Sequence, residues 1–328
     1  MTSSRYIAVA EESAFKTKST ETYKWMPVIT ADLQPNNNKI FIEETEQRLA
    51  TEDVMGAFIG EGTVLINVRA DNIGWFLKWL CGSVSSAIQN SGPFYKHTFT
   101  MADEIVSFTL EDYRGLADSR WIYGAMMRSI NFESPARGVL TAELGILYAD
   151  EQIDTKGTPG TVPAVRPFVF HDGAVEWGGS SLANVEALRL NYGNILPDDT
   201  HEHNSRLLPE IIVEGAEIGG EMDVKFKTWA LRQNFYGAQE AGPVEPDNPQ
   251  EETRTFGLIN TFTGAPTGDA VVPNYLLVMT FPTCAPTENP SGTDRRVRLT
   301  QRLGFNVLHN TGIKFELYNE VASYPDAS

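Results

Sequence analysis

"EGTVLINVRADNIGWFLKWLCG", residues 61–82, joins a strand pattern to a short apolar helix pattern, and its reading decides the fold. In TVLINVR (63–69), Val64, Ile66 and Val68 fall on one face and Asn67 and Arg69 on the other, the period of a half-buried strand. Ile73, Phe76, Leu77 and Leu80 then follow the spacing of a helix that buries one stripe. Trp75 and Trp79 widen that stripe, Asp71 or Asn72 serves as N-cap, and Gly82 suits a left-handed stop. These six apolar residues are expected in a core or an interface; the rival reading of the two tryptophans is a sugar platform.

Working outward, the unit recurs. In GGEMDVKFKTWALRQNFYG (219–237), Met222, Val224 and Phe226 alternate with Glu221, Asp223, Lys225 and Lys227. Thr228 is the cap, Trp229, Leu231 and Phe235 are the apolar helix positions, and Gly237 is the stop. Upstream, VITADLQPNNNKIFIEETEQRL (28–49) resembles NVEALRLNYGNILPDDTHEHNSRL (184–207): a strand, an Asn/Gly turn and a charged stretch. Four features in one order, displaced by about half the chain, point to internal duplication. The expected division is a first β domain with an N-terminal arm over 1–153, a Gly/Pro/Thr-rich linker over 154–167, and a second β domain over 168–328. Further strands are read at 104–111, 138–148, 274–281, 295–307 and 313–320, and long polar loops at 237–252 and 282–294.

The fold class is therefore mainly β, in two tandem domains, each carrying one short helix. The 328 residues carry 26 Lys and Arg against 43 Asp and Glu, a net charge of -17, which argues against a surface that grips nucleic acid. Cys81 and Cys284 suggest no disulfide framework. No signal peptide is read in the first twenty residues, the longest apolar stretch is too short to span a bilayer, and a cytoplasmic origin is expected.

Chemistry is sparse. His201 and His203 sit with Asp198 and Asp199 in DDTHEHN, but no third, spaced ligand cluster accompanies them, so a charged loop is expected rather than a metal site. No nucleophile elbow, P-loop or dinucleotide fingerprint is present. The pairs Glu43/Glu44, Asp198/Asp199 and Glu251/Glu252 lie in turn-like sequence. Arg296, Arg298 and Arg302 share a strand face, an ordinary solvated face or one opposed to acidic residues. No enzyme and no cofactor are expected.

The chain resembles the tail tube proteins of long-tailed bacteriophages. The likeness lies in RYIAVAEESAFKTKSTETYKWMPV (5–28), in the 60–83 unit, in VSFTLEDYRG, WIYGAMMRSINFES and GVLTAELGILYAD between 106 and 150, and in a weaker second cycle from about 184. The resemblance implies a β-sandwich flanked by a helix, whose sheets join those of neighbours into a β-barrel ring. Rings stack into a hollow tube for genome DNA and the tape-measure protein, and the tube meets terminator and baseplate proteins. A chain with two cycles implies three copies per ring, with six as the alternative. Glu221, Asp223 and Asn67 are then candidates for the lumen. Asn36, Asn37, Asn38, Glu43, Glu44, Asp198, Asp199, His201 and His203 are candidates for loops between rings, with 1–22 and 319–328 as further stacking arms. DNA is expected to pass without specific binding, with no membrane involved and the protein residing in the virion tail. The alternatives are another virion protein, capsid or decoration, or a carbohydrate-binding β-sandwich.

Overall fold

In the computed structural model, residues 5–46, 48–89, 92–235, 255–288, 299–309 and 311–324 are described. The first half supplies β1 (Tyr6–Glu11), β2 (Lys24–Pro27), β3 (Thr30–Asn36), an outlying hairpin of β4 (Ile40–Ile42) and β5 (Glu52–Val54), and β6 (Ile59–Asn67). Then come α1 (Ile73–Cys81), the hairpin β7 (Gly82–Ile88) and β8 (Tyr95–Met101), β9 (Phe108–Tyr113), β10 (Asp118–Ser134), β11 (Thr141–Tyr148) and β12 (Asp150–Thr155). The second half supplies β13 (Gly173–Trp177), β14 (Ser180–Ser181), β15 (Val185–Ile195), β16 (Gly215–Lys225), α2 (Ala230–Phe235), β17 (Phe256–Pro266), β18 (Asn274–Glu288), β19 (Thr300–Val307) and β20 (Lys314–Asn319).

One pairing plan occurs twice. In the first cycle β2 pairs β1, β1 pairs β9, and β9 pairs β10; β10 pairs β12 through its first half and β11 through its second; β11 pairs β6, and β6 pairs β3. In the second cycle β14, β13, β17, β18, β20, β19, β16 and β15 repeat those seven antiparallel pairings in the same chain order.

The irregularities repeat as well. β10 shifts register between Ile122 and Ala125 against β9, and between Met127 and Ser129 against β11. β18 skips from Phe281 to Cys284 against β17, and shifts between Pro286 and Glu288 against β19. Such bulges let a long strand bend out of one sheet into another. Gly145 lies opposite Ser129 and Gly304 opposite Glu288, and a Cβ on either would strike the side chain facing it. Gly62 and Gly220 likewise match: a Cβ would lie 2.0 Å from the Asp32 carbonyl oxygen and 2.4 Å from that of Arg189. Both glycines are close-approach positions.

The cycles are woven together. β10 pairs β15, and β8 pairs β20, so strands of residues 1–153 bond strands of 168–328 in two ladders. One apolar core draws on both cycles, including Ile66, Ile130, Leu144, Leu190, Met222, Leu277 and Phe315. Phe132 and Tyr192 face Phe315 across it, with ring centroids 6.3 and 6.2 Å apart. The pairings among the described residues branch but never return on themselves, so the sheet of this chain is open, not a closed barrel.

α1 is wedged between layers, apolar on nearly every side, as a fully enclosed helix must be. Ile73, Phe76, Leu77, Trp79 and Leu80 are buried and Trp75 is partly so. Trp79 stacks on Phe108 at 4.4 Å, and its indole N–H donates to Glu11. Lys78 is also enclosed, 1% exposed, with its ammonium 2.6 Å from the Glu11 carboxylate. Asn72 is the N-cap residue but does not cap: it accepts from the Arg69 amide and donates to the Asn67 carbonyl, holding the strand–helix turn. Gly82 is left-handed, as expected of the stop.

Several expectations are corrected. The repeat of the helix is described over Ala230–Phe235, and Trp229, which precedes it, is not core but 57% exposed against Phe226; Leu231 is partly buried, and the side chain of Phe235 lies outside the described residues. Residues 282–288 are strand, not loop, with Pro286 next to a bulge where a missing amide is tolerated. The loop 237–252, with Glu251 and Glu252, and residues 289–294 lie outside the described residues. Within the N-terminal arm, β1 is buried from Ile7 to Glu11, while residues 13–18 and 20–22 are exposed or half-buried. The tail folds back: Tyr324 is buried against Trp75 and His97, and Asn319 donates to its hydroxyl. The linker is bound, since Asp71 accepts from the Ala164 and Val165 amides.

Candidate functional site

Eight strands run side by side in the order β3, β6, β11, the second half of β10, β15, β16, β19 and the second half of β18. Alternation gives the sheet two unlike faces. Leu33, Val64, Ile66, Leu144, Ile130, Leu190, Met222 and Leu303 point into the core. The opposite row carries Asp32, Glu61, Asn67, Glu143, Asn131, Glu133, Arg189, Asn191, Glu217, Glu221, Asp223 and Arg302. This broad, polar, acidic face is the candidate functional surface.

The expected lumen residues Glu221, Asp223 and Asn67 all lie on it. Sequence reasoning named Arg302, on a face solvated or opposed to acidic residues, but not Arg189 or Arg128. Arg189 reaches Glu133 at 3.3 Å, Glu221 at 2.5 Å and Asp223 at 3.6 Å. Arg302 reaches Glu221 at 3.2 Å and Asp223 at 3.0 Å. Arg128 reaches Glu61 at 2.8 Å. The hydrogen bond to Glu221 raises the pKa of Arg189, and the one to Asp223 raises that of Arg302, so both stay charged and held. Cations spoken for by carboxylates on the same wall are poor phosphate ligands, because binding DNA would mean breaking those pairs. The signal was present: Arg189 sits between Leu188 and Leu190 in a strict alternation. Arg296 and Arg298 lie outside the described residues.

At one end of this face the outward row turns apolar at Leu147, and residues 196–214 fold over it. Met126, Leu147, Ala149, Leu196, Leu208 and Ile211 close a second small core there. The two stretches expected between rings meet at this end. The Arg206 guanidinium donates to the Gly56 carbonyl and to Asn37, the Phe58 amide donates to the Arg206 carbonyl, and a His201 ring nitrogen lies 3.3 Å from the Phe58 carbonyl. Asn36 accepts from the Asn38 amide, and Asn38, left-handed at φ 40, donates to Ala57. Glu43 and Glu44 are exposed between β4 and β5, and Asp198, Asp199 and His203 are exposed in the partner loop. Phe41, Leu49 and Ile40 on the hairpin are exposed too, apolar surface that a monomer ordinarily hides.

Among the described residues, no group of three His, Cys, Asp or Glu side chains is placed to hold a metal ion. Both thiols are buried, and burial pushes Cys284 up to about 12. Among curated proteins, none matches the chain. The phage tail tube protein family matches it over residues 2–300. A twice-repeated β plan, an open sheet with one apolar and one acidic face, and that match agree: the chain belongs to the phage tail tube protein family, structural components of the virion tail.

Proposed function

We propose that the chain self-assembles into rings that stack into the hollow tail tube of a long-tailed phage, the conduit for DNA ejection. One observation carries this reading: the eight-stranded sheet has an apolar side, a carboxylate-rich side whose arginines are neutralised in place, and outer edges with no strand partner among the described residues. Closing such edges between copies removes surfaces that otherwise aggregate. The acidic side then lines the bore, where it repels phosphate and lets DNA slide.

The duplication makes each chain two wall segments, domains 1–153 and 168–328 joined through 154–167, so three chains complete a ring of six-fold character. Strands about 4.8 Å apart and tilted about 40° give three eight-stranded sheets a backbone diameter of about 48 Å, enough for a duplex inside the side chains. Six chains would double the backbone diameter to about 96 Å. The loops 36–58 and 196–214 with the β4–β5 hairpin stand at one end of the wall, where they contact the next ring. Tape-measure protein fills the tube during assembly, and terminator and baseplate proteins bound it. The chain is made in the host cytoplasm and acts without a membrane.

Negative-stain electron microscopy of the purified chain at rising concentration tests this. Hollow rings and stacked tubes are expected. Monomers at every concentration, with and without tail initiator proteins, would contradict it.

A further inference from the structure

The β3–β6 connection of the first cycle and the β15–β16 connection of the second are counterparts in the strand plan, yet they differ in shape. The first projects as the β4–β5 hairpin, whose strands pair only with each other among the described residues and are exposed throughout. A two-stranded hairpin alone is marginally stable in water. The second folds down instead, burying Leu196, Leu208 and Ile211 on Met126 and Leu147. We propose that these two loops are one device: loop 196–214 holds the hairpin at a fixed angle for its contact with a copy in the next ring, with Arg206 as the positioning residue. This deepens the tube reading and rests on it.

The hold is built at the base of the hairpin. The Arg206 guanidinium spans both arms, donating to the Asn37 side chain at 3.1 Å on one and to the Gly56 carbonyl at 2.9 Å on the other. A rigid planar fork suits two acceptors at a set spacing. The Arg206 carbonyl accepts from the Phe58 amide at 2.7 Å, so the same residue grips the chain just before it re-enters the wall as β6. The arms are pinched together here. A Cβ on Gly56 would lie 2.1 Å from the Asn38 carbonyl oxygen, and Asn38, left-handed, donates to the Ala57 carbonyl. The run Asn36-Asn37-Asn38 then has three separate roles: Asn36 accepts from the Asn38 amide and closes the turn, Asn37 receives Arg206, and Asn38 ties the arms.

The loop that supplies Arg206 is itself anchored. The Lys16 ammonium donates to the Leu208 carbonyl at 2.6 Å, and the Thr200 hydroxyl donates to the Glu210 carbonyl at 3.1 Å, drawing the loop closed. Lys16 belongs to a turn organised by Glu12, which accepts from the Lys16 and Gly124 amides and from the Ser107 and Thr109 hydroxyls. A continuous path of hydrogen bonds and packed side chains therefore runs from β9 and β10 to the hairpin base. What the hairpin presents is apolar: Ile40 lies opposite Val54, and both are exposed, as are Phe41, Ile42 and Leu49. An element that must bury such residues against a neighbour loses less entropy on docking when its angle is already set.

The test reads the angle of the hairpin and its consequence separately. Both native thiols are buried, so spin labels on Glu44→Cys and Glu176→Cys, two exposed positions, report the distance from hairpin to β13 in the full, unassembled chain by pulsed electron paramagnetic resonance. One narrow distance distribution is expected, and Arg206→Ala should broaden it without moving the melting temperature, since the Arg206 side chain is exposed. In unlabelled protein, Arg206→Ala rings should form at the native concentration but need about tenfold more protein to stack, the worth of one or two hydrogen bonds. Asn37→Ala removes one acceptor at the hairpin base; it should shift both readouts the same way by less, and it decides the matter if Arg206→Ala lowers the melting temperature. An Arg206→Ala chain with the native distance distribution, or with rings that stack at the native concentration, would overturn the positioning role and leave the tube reading standing. Native rings that never stack would overturn both.

Discussion

The two cycles share one strand plan, two bulges and two crowded glycines, yet they differ in what covers them. In the first, α1 is nine residues long and enclosed, and the β7–β8 hairpin that follows it reaches across to seal β20. In the second, α2 is described over Ala230–Phe235, and Trp229 beside it lies open. The edge of the second cycle is completed from within the chain, and β3 and β12 of the first each pair on one side among the described residues. The shared strand plan is kept while the elements that cover it diverge.

That contrast can be broken or sharpened by substitution. Trp79→Ala removes a buried indole stacked on Phe108, and a loss of about 3–5 kcal/mol is expected in denaturant unfolding. Little change in the midpoint would mean that α1 does not anchor the core. Glu11→Ala leaves the enclosed Lys78 ammonium without this carboxylate and should cost a similar amount, about 3–5 kcal/mol, whereas an unaltered unfolding curve would contradict the burial of the pair. Gly62→Ala and Gly220→Ala each push a methyl onto a neighbouring strand, so each should lose about 1–3 kcal/mol. Comparable losses would support equivalent wall positions; a harmless change at one site alone would break the equivalence.

A pH series probes the seam between the cycles. His97 on β8 is buried with ring nitrogens near Ser86 and Asn319, and burial lowers its pKa. The folded state therefore holds it neutral while the unfolded chain takes up a proton, so stability is full above about pH 6.5 and falls as pH drops below it. His97→Gln should flatten that part of the profile, and an unchanged slope would assign the loss to other groups. Smallest of all, Trp229→Ala should shift stability by less than about 0.5 kcal/mol, in direct contrast to Trp79.

Much of this was legible in the sequence. The 61–82 unit, its partner around 220 and the alternating strands gave the β class and the repeat, because period and glycine punctuation are local signals. The acidic face could be read at Glu221 and Asp223 from alternation alone. Its ion pairs could not, because Arg189 and Arg302 come from strands on either side of β16, and cross-strand register is not written in either segment. β10 escaped for a related reason. Its seventeen residues serve two sheets, so its side chains are buried on alternating faces and the pattern reads as a continuous apolar run. Proline misled at 282–288, where a strand beside a bulge tolerates it.

The central claim is that one chain contributes two successive wall segments to a ring of three. Cryo-electron microscopy of assembled rings, refined without imposed symmetry, tests this most directly. The account predicts three chains per ring and six similar wall segments. Six chains per ring, or the two cycles lying in different radial layers, would contradict it.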